Sequence, residues 1–409
     1  MSTTTLPNPS RSREAWGGVL ALSLAAFAVV ASEWLPVSLL TPIASDLHIS
    51  EGVAGQAIAI SGAFALVTSL FISSLAGQLD RKVLLLLLTL LMVVSGTVAA
   101  FAPNYAVFMV GRALIGVAVG GFWSMSAATA MRLVSTRHVP RALAIVNGGN
   151  ALASVLAAPV GSFLGAFVGW RWAFFSVVPV AAIVLVWKWI GMPSMKAARR
   201  AGSANVFKLL KRPSVALGMA ASALFFMGQF ALFTYLRPFL EDVTGVGAGT
   251  LSLLLLLIGA AGFVGTTLIG RFLKQSLYRT LAIIPALMAL IAIALVFLGG
   301  SFGLTTFLLA IWGLVGTAAP VGWWTWLSRT LPQDAEAGGG LLVAVVQLAI
   351  MLGATLGGVL YDMSGYQATF GMSAALLVVA AVAALVAAQS EVRVKPSRRY
   401  CGSIVKACT

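Results

Sequence analysis

Long apolar runs, each close to twenty residues, recur along the whole chain and are separated by short polar breaks. A bilayer-spanning helix needs about 20 apolar residues, whereas the alternating ten-residue pattern of an outer-membrane barrel strand is missing here. Twelve spans are predicted: 17–40, 53–76, 83–102, 106–131, 142–165, 170–191, 213–236, 249–270, 280–299, 302–326, 339–361 and 367–388. The fold class expected is an all-α membrane protein of two six-helix bundles. The first run is too long for a cleaved signal peptide and lacks a small-residue cleavage site. The organisation reads as an N-terminal tail (1–16), a bundle (17–191), a linker (192–212), a second bundle (213–388) and a C-terminal tail (389–409).

Composition agrees with this pattern. Of the 409 residues, 60% are hydrophobic and only 9% are charged, too few to cover a soluble protein of this length. The net charge of +15 invites a nucleic-acid reading, but its placement argues against one. With the N-terminus inside, the segments assigned to the cytoplasm hold 23 of the 26 basic residues, Lys188 counted among them. Arg171 and Arg237 fall outside, and Arg112 lies within a span. By the positive-inside rule both termini are expected in the cytoplasm, with the basic segments against anionic headgroups. Cys401 and Cys408 in the tail show neither zinc spacing nor a prenylation box, and His48 and His138 fall in opposite-facing loops. No metal or cofactor is expected.

The halves repeat each other. Glu33, Pro42 and Asp46 recur 196 residues later as Gln229, Pro238 and Asp242, and Gly161, Gly169, Trp170 and Phe174 recur at the same offset as Gly357, Gly365, Tyr366 and Phe370. Gly116 and Trp123 recur 200 residues later as Gly316 and Trp323. A constant offset points to duplication, and parallel six-helix repeats are the trace of a transporter whose halves rock about a site near the bilayer midplane.

Glu33 is the only acidic residue well inside an apolar run, and Arg112 is a basic residue within another. An ionisable group in hydrocarbon costs at least about 2.5–3.5 kcal/mol, so it usually faces a cavity, finds a partner or takes a proton. The duplication sets Gln229 opposite Glu33 and Trp312 opposite Arg112. Proton chemistry is therefore expected in the N-terminal half and substrate grip mostly in the C-terminal half. Bonding to backbone carbonyls, which would stiffen the bundle, is the other reading of Arg112.

These residues resemble the major facilitator superfamily, and within it the drug:proton antiporters of twelve spans. The loop Ala76–Lys82 is similar to the family's loop motif, with alanine at the usual glycine and Asp80 and Arg81 keeping the charge pair. The resemblance implies that this pair latches the cytoplasmic side; a solvated loop is the alternative. Arg112-x3-Gly116-x3-Gly120 resembles the proton-linked motif, and Ala158-Pro159-Val160-Gly161 resembles part of the antiporter motif, which gives Pro159 a gating role. Glu33–Pro42, Ser50–Gln56, Gly120–Ser126, Gly228–Pro238 and Pro320–Trp326 together look like the purine ribonucleoside efflux pump subfamily. That resemblance implies export of nucleosides such as inosine or guanosine against proton entry, from a monomer in the inner membrane.

A neutral nucleoside asks for aromatic faces and for amides or hydroxyls. Span 7 places Phe225, Gln229 and Phe233 four residues apart on one face. Trp123 and Ser126 in span 4, Asn150 in span 5, Trp323 in span 10 and Gln347 in span 11 complete the candidate binding set. Asn147 reads equally as a substrate contact or a helix–helix bond. Trp326 and Tyr235 are expected as interface anchors. A drug or sugar exporter of the same fold fits nearly as well, and a passive facilitator would not require Glu33. No span holds a His, a Cys or paired carboxylates, which argues against an intramembrane enzyme. A pure sensor lacks an extramembrane domain to pass on a signal.

Overall fold

The computed structural model describes residues 14–75, 77, 79–195, 206–332 and 334–394. Ala76 of the loop motif, Cys401, Cys408 and the rest of the tails and linker lie outside the described residues. Among the described residues, eleven helical stretches are long and apolar enough to cross a membrane. The last, Ala337–Gln389, has 53 residues and lies within a helix Ala335–Val394 that is broken at Gly365 (φ 75°, ψ −173°), so it makes spans 11 and 12. The all-α, twelve-span fold class is what the structure shows. Helices are the open-chain solution in lipid because every backbone N–H and C=O is met within the segment.

The repeat is visible in the backbone. Span 1 runs Trp16–Ser38, breaks at Leu39 and continues as Leu40–Leu47. Span 7 runs Pro213–Thr234, breaks at Tyr235 and continues as Leu236–Asp242. Leu39 (φ −122°, ψ 13°) and Tyr235 (φ −103°, ψ 17°) stand at the offset of the duplication. So do Gly169 (φ 85°) and Gly365 (φ 75°), the joints between spans 5 and 6 and between spans 11 and 12. Positive φ is cheap only for glycine, which explains why both copies keep one there. The rings that follow pack alike: Trp170–Phe174 at 5.9 Å and Tyr366–Phe370 at 5.9 Å, both edge-on.

Small residues bring spans 2 and 4 together. A Cβ on Gly116 would strike the Ser61 carbonyl, and one on Gly120 the Ala65 carbonyl. Membrane helices associate through such close packing because lipid is as apolar as leucine. Within the N-terminal bundle Lys188 is a correction to its placement among cytoplasmic basic residues. It is 1% exposed, bonded from Nζ to Thr89 Oγ1 at 2.8 Å and set over the Phe122 ring at 5.5 Å. Its short distance from the end of span 6 hid this, since a lysine near a span end normally reaches the interface.

The halves meet across spans 1, 2 and 5 on one side and spans 7, 8 and 11 on the other. At mid-depth Gly259 of span 8 touches the backbone of Val155 in span 5. The end with the turns at Leu39, Tyr235 and Gly365 is called here the far end. There Ser50 Oγ and the Gly52 amide donate to Asp362 at 2.5 and 2.9 Å, and Thr355 Oγ1 donates to Gln56 Oε1 at 3.1 Å. Tyr235 Oη donates to Ala354 O at 2.8 Å and to Gly52 O at 3.5 Å, and Arg237 donates to Ser38 O. Toward the other end Asn147 and Gly148 of span 5 are exposed. Tyr235 is fully buried in this junction, so it is not an interface anchor. Trp326, 1% exposed in the C-terminal core, is not one either; Trp324 is the exposed indole, at 48%. Position near a span end could not separate three tryptophans on successive helix faces.

Candidate functional site

Arg112 is 2% exposed and spreads its guanidinium over three acceptors. Nε donates to Ala57 O at 3.0 Å, Nη1 to Ser32 O at 2.8 Å and Nη2 to Ser61 Oγ at 3.2 Å. It thereby ties span 4 to spans 1 and 2, and the stiffening role is present in the geometry. The planar fork of arginine suits three fixed acceptors in a way a lysine cannot.

Ser32 immediately precedes Glu33, so the guanidinium docks on the backbone beside a carboxylate well inside span 1. Glu33 is half-buried. Arg112 acts on it through charge, and the Gln347 amide of span 11 approaches it from the other half. The four ion pairs among the described residues do not include Glu33, so the relation to Arg112 is a through-space one. Gln347 is 5% exposed and its Oε1 has no partner. One carboxylate thus faces a cation of its own half and an amide of the other half.

The corresponding place in the C-terminal half is neutral. Gln229 and Trp312 line a cavity of about 20 Å³ between the halves, with Trp34, Phe233, Ser154 and Thr317 among its other walls. Gln229 Oε1 and Trp312 Nε1 are buried without partners. Trp34 of span 1 crosses to the C-terminal half, where its ring meets Phe233 edge-on at 5.1 Å and Phe230 at 6.2 Å.

The other candidates are dispersed. Phe225 (0% exposed) and Trp323 (2%) pack against one another at 6.5 Å inside the C-terminal core, away from the cavity. Trp123 is half-buried against the N-terminal core beside Phe122, and Ser126 is buried. Asn150 is half-buried, its carbonyl accepting from Ser154 Oγ at 3.0 Å. Asn147 bonds its own helix at Leu143 O. Pro159 is buried within the span 5 helix, one residue past Ala158 of the cavity wall.

Asp80 caps the span 3 helix by accepting from the Lys82 amide at 2.7 Å. It also accepts from the Met195 amide at 3.0 Å and from Ser194 Oγ. Burial works to raise its pKa, but the bonds from Ser194, Met195 and Lys82 outweigh it and hold the carboxyl below its usual range. Arg81 turns to Met125 Sδ at 3.8 Å instead of pairing with Asp80. The loop is therefore fastened to the start of the linker within its own half.

Trp34, Trp312 and Tyr235 are the residues that sequence reasoning undervalued. Trp34 adjoins Glu33, and Trp312 stands opposite Arg112 in the duplication, so both positions were marked. Neither mark says that an indole crosses between halves or that its N–H lacks a partner.

Residues 22–339 match the family model described as Major Facilitator Superfamily. The chain is 63% identical over 392 residues to the Pseudomonas aeruginosa protein named Transcription regulatory protein OpdE, covering 95% of this chain and 97% of that one. It is 40% identical over 384 residues to the Purine ribonucleoside efflux pump NepI of Salmonella typhimurium, covering 94% and 96%. Among solved structures, the inward-facing, unoccupied bacterial homologue of the human lysosomal transporter Spinster matches with a TM-score of 0.74 at 15% identity, over 93% of this chain and 98% of that one. The D-xylose–proton symporter matches at 0.69 and 17%, over 90% and 96%. At such identities the structures speak for the fold, and the family model and the relatives speak for descent: the chain belongs to the major facilitator superfamily.

Proposed function

We propose that this protein exports purine ribonucleosides such as inosine and guanosine in exchange for protons, by alternating access. The observation that carries the reading is the placement of Glu33. It lies between the halves, with Arg112 acting by charge from one and the Gln347 amide close to it on the other. Rocking of the halves changes the second neighbour and leaves the first, so the carboxylate's proton affinity changes with conformation. A ligand moves a two-state equilibrium only through such a differential interaction. The 40% identity to a purine ribonucleoside efflux pump supports the substrate class and the direction. The neutral Gln229 and the aromatic Trp34 and Phe233 suit an uncharged nucleoside.

In this reading the far end is the outer face and is closed, so the conformation is inward-facing. Both termini lie in the cytoplasm, as the distribution of basic residues favours, and a monomer works in the inner membrane. Asp80 and Arg81 brace the inner face, and Pro159 bends span 5 where it meets span 8. Trp123, Ser126, Asn150 and Gln347 enter the substrate path as the halves rearrange, while Phe225 and Trp323 back it from the C-terminal core. Multidrug or sugar efflux remains the alternative substrate class.

The test is pH-gradient-driven inosine transport in reconstituted vesicles, wild type beside Glu33→Gln. Gradient-dependent transport lost in the variant, with inosine binding retained, is the expected result. Transport indifferent to the gradient in both proteins overturns the coupling, and absence of inosine transport in vesicles that move a drug or a sugar overturns the substrate. The regulatory name of the 63% identical relative favours a second reading, an influence on gene expression. Such an influence through transport disappears with Glu33→Gln, whereas a signalling role separate from transport survives it.

A further inference from the structure

We propose that Gln229 and Trp312 form a subsite for a single hydroxyl group, filled by the 2′- or 3′-hydroxyl of the exported nucleoside's ribose. The inference rests on the nucleoside reading above and adds which part of the substrate enters the C-terminal half.

The carrying observation is a mismatch. Trp312 is 1% exposed and its Nε1–H has no acceptor; Gln229 Oε1 is buried and has no donor. Most buried polar atoms in native proteins are partnered, so each orphan asks for an explanation. Both residues are among the walls of one cavity, and in this conformation their orphan atoms are covered. The cavity measures about 20 Å³, room for one water-sized group and far too little for a purine ring.

The chemistry narrows the occupant. An indole N–H only donates, while Gln229 Oε1 only accepts. The matching group must accept from one and donate to the other. A hydroxyl does both with a single oxygen. A carboxylate has no proton for Gln229, a carbonyl likewise leaves it unmet, and an ammonium has no lone pair for Trp312. Trp34 and Phe233, edge-on at 5.1 Å, wall the cavity with carbon, which suits the C–H surface of a sugar beside its hydroxyl.

The duplication gives the same answer independently. The equivalent positions in the N-terminal half are Glu33 and Arg112, a carboxylate and a guanidinium that act on each other. Replacing both by an amide and an indole keeps one acceptor and one donor at those places and removes the charge. The N-terminal pair then serves the proton and the C-terminal pair a neutral polar group.

The experiment is equilibrium binding of inosine, 2′-deoxyinosine and 3′-deoxyinosine to the full-length protein in lipid nanodiscs, for wild type, Trp312→Phe and Gln229→Leu. Loss of a hydrogen bond to a buried group weakens binding by about ten- to a hundredfold. The wild type is expected to lose that factor for one of the two deoxynucleosides. Each variant is expected to weaken inosine by a similar factor and to leave that deoxynucleoside unchanged, because its binding never used the pair. The unchanged affinity also certifies a folded variant, and if one variant does not fold the other carries the comparison. Equal binding of all three ligands by wild type overturns the proposal and leaves a cavity for water only. Parallel weakening of inosine and both deoxynucleosides also overturns it and assigns Trp312 a packing role. Wild type that binds no nucleoside at all overturns the nucleoside reading and this subsite with it.

Discussion

Asp362 accepts the backbone amide of Gly52 at 2.9 Å, so a carboxylate of the C-terminal half caps the first turn of a helix in the N-terminal half. Ser50 Oγ adds a second bond to the same carboxylate at 2.5 Å. An N-cap interaction is worth about 0.5–2 kcal/mol. Because this one bridges the halves, it exists only while the far end is closed. Asp362→Ala is expected to shift the population about fivefold toward far-end-open molecules at about 1 kcal/mol. Distances between spin labels on the two halves at that end would show a longer component. An unchanged distribution would mean that the remaining bonds hold the junction without it.

Two glycine substitutions separate gating from folding. A Cβ on Gly52 would collide with the Gly358 carbonyl across the junction, whereas one on Gly149 would collide with the Ser23 carbonyl inside the N-terminal bundle. Gly52→Ala is expected to leave the melting temperature nearly unchanged and to open the far end. Gly149→Ala is expected to lower the melting temperature in every conformation, since overpacking costs about 1–3 kcal/mol. Thermal melts in detergent beside the same spin-label distances check both.

Arg112 and Glu33 are expected to fail differently. Removing the guanidinium leaves Ser61 Oγ and the carbonyls of Ser32 and Ala57 without its bonds. Arg112→Ala should therefore destabilise the N-terminal bundle by about 1–3 kcal/mol or more, with Arg112→Lys only partly restoring it. Glu33→Gln keeps the side chain's shape and polarity, so its melting temperature should stay near wild type while transport loses its response to the pH gradient. Equal losses of stability in the two variants would make Glu33 structural.

Glu14 gives a pH dependence outside the membrane. Hydrogen bonds from Ser135 and His138, with a further one from Trp16, hold its carboxyl at about 2, well below the ordinary 4.5. A depressed carboxylate contributes stability that is fully present above the unfolded value and is lost as pH falls through the folded one. Acidification from about pH 4.5 to about pH 2 should therefore release the start of span 1 from the loop at Ser135. A spin label at Thr136→Cys should become mobile over that range in wild type and already be mobile at neutral pH in Glu14→Gln.

Lys188 tests whether a buried ammonium is dispensable. Its contacts, Thr89 Oγ1 and the Phe122 face, include no carboxylate. Replacing buried charge by an apolar side chain of similar volume is often neutral or stabilising. Lys188→Met is expected to melt at or above the wild-type temperature and to transport normally. A loss of transport with stability intact would give the lysine a part in coupling.

The twelve spans were legible because a bilayer imposes length and apolarity on each segment separately. The helix breaks at Leu39 and Tyr235 stand at the offset of the duplication, between the matched positions Glu33/Gln229 and Pro42/Pro238. The candidate site was half legible. A lone carboxylate or guanidinium in an apolar run is costly wherever it points, so Glu33 and Arg112 could be found from the residues alone. Phe225, Trp323 and Trp326 could not be sorted from Trp34 and Trp312, because an aromatic ring is equally at home in a core and in a cavity wall. Lys188 was misread for a related reason: its flexible stem permits either burial or escape to the interface.

The sequence by itself determined that this is a membrane protein of two repeated halves, with one ionisable pair in the first half and neutral counterparts in the second. These are properties of composition, run length and offset, each local to a segment or a comparison of segments. The tertiary structure alone decided which residues of opposite halves meet: Gln347 with Glu33, Trp34 with Phe233, Asp362 with Gly52. It also decided which buried polar atoms are left without a partner. Contacts between halves depend on the rotation of each helix about its axis and on which end is closed. Nearly uniform apolarity around these helices leaves that rotation unspecified until the small residues and buried hydrogen bonds lock it.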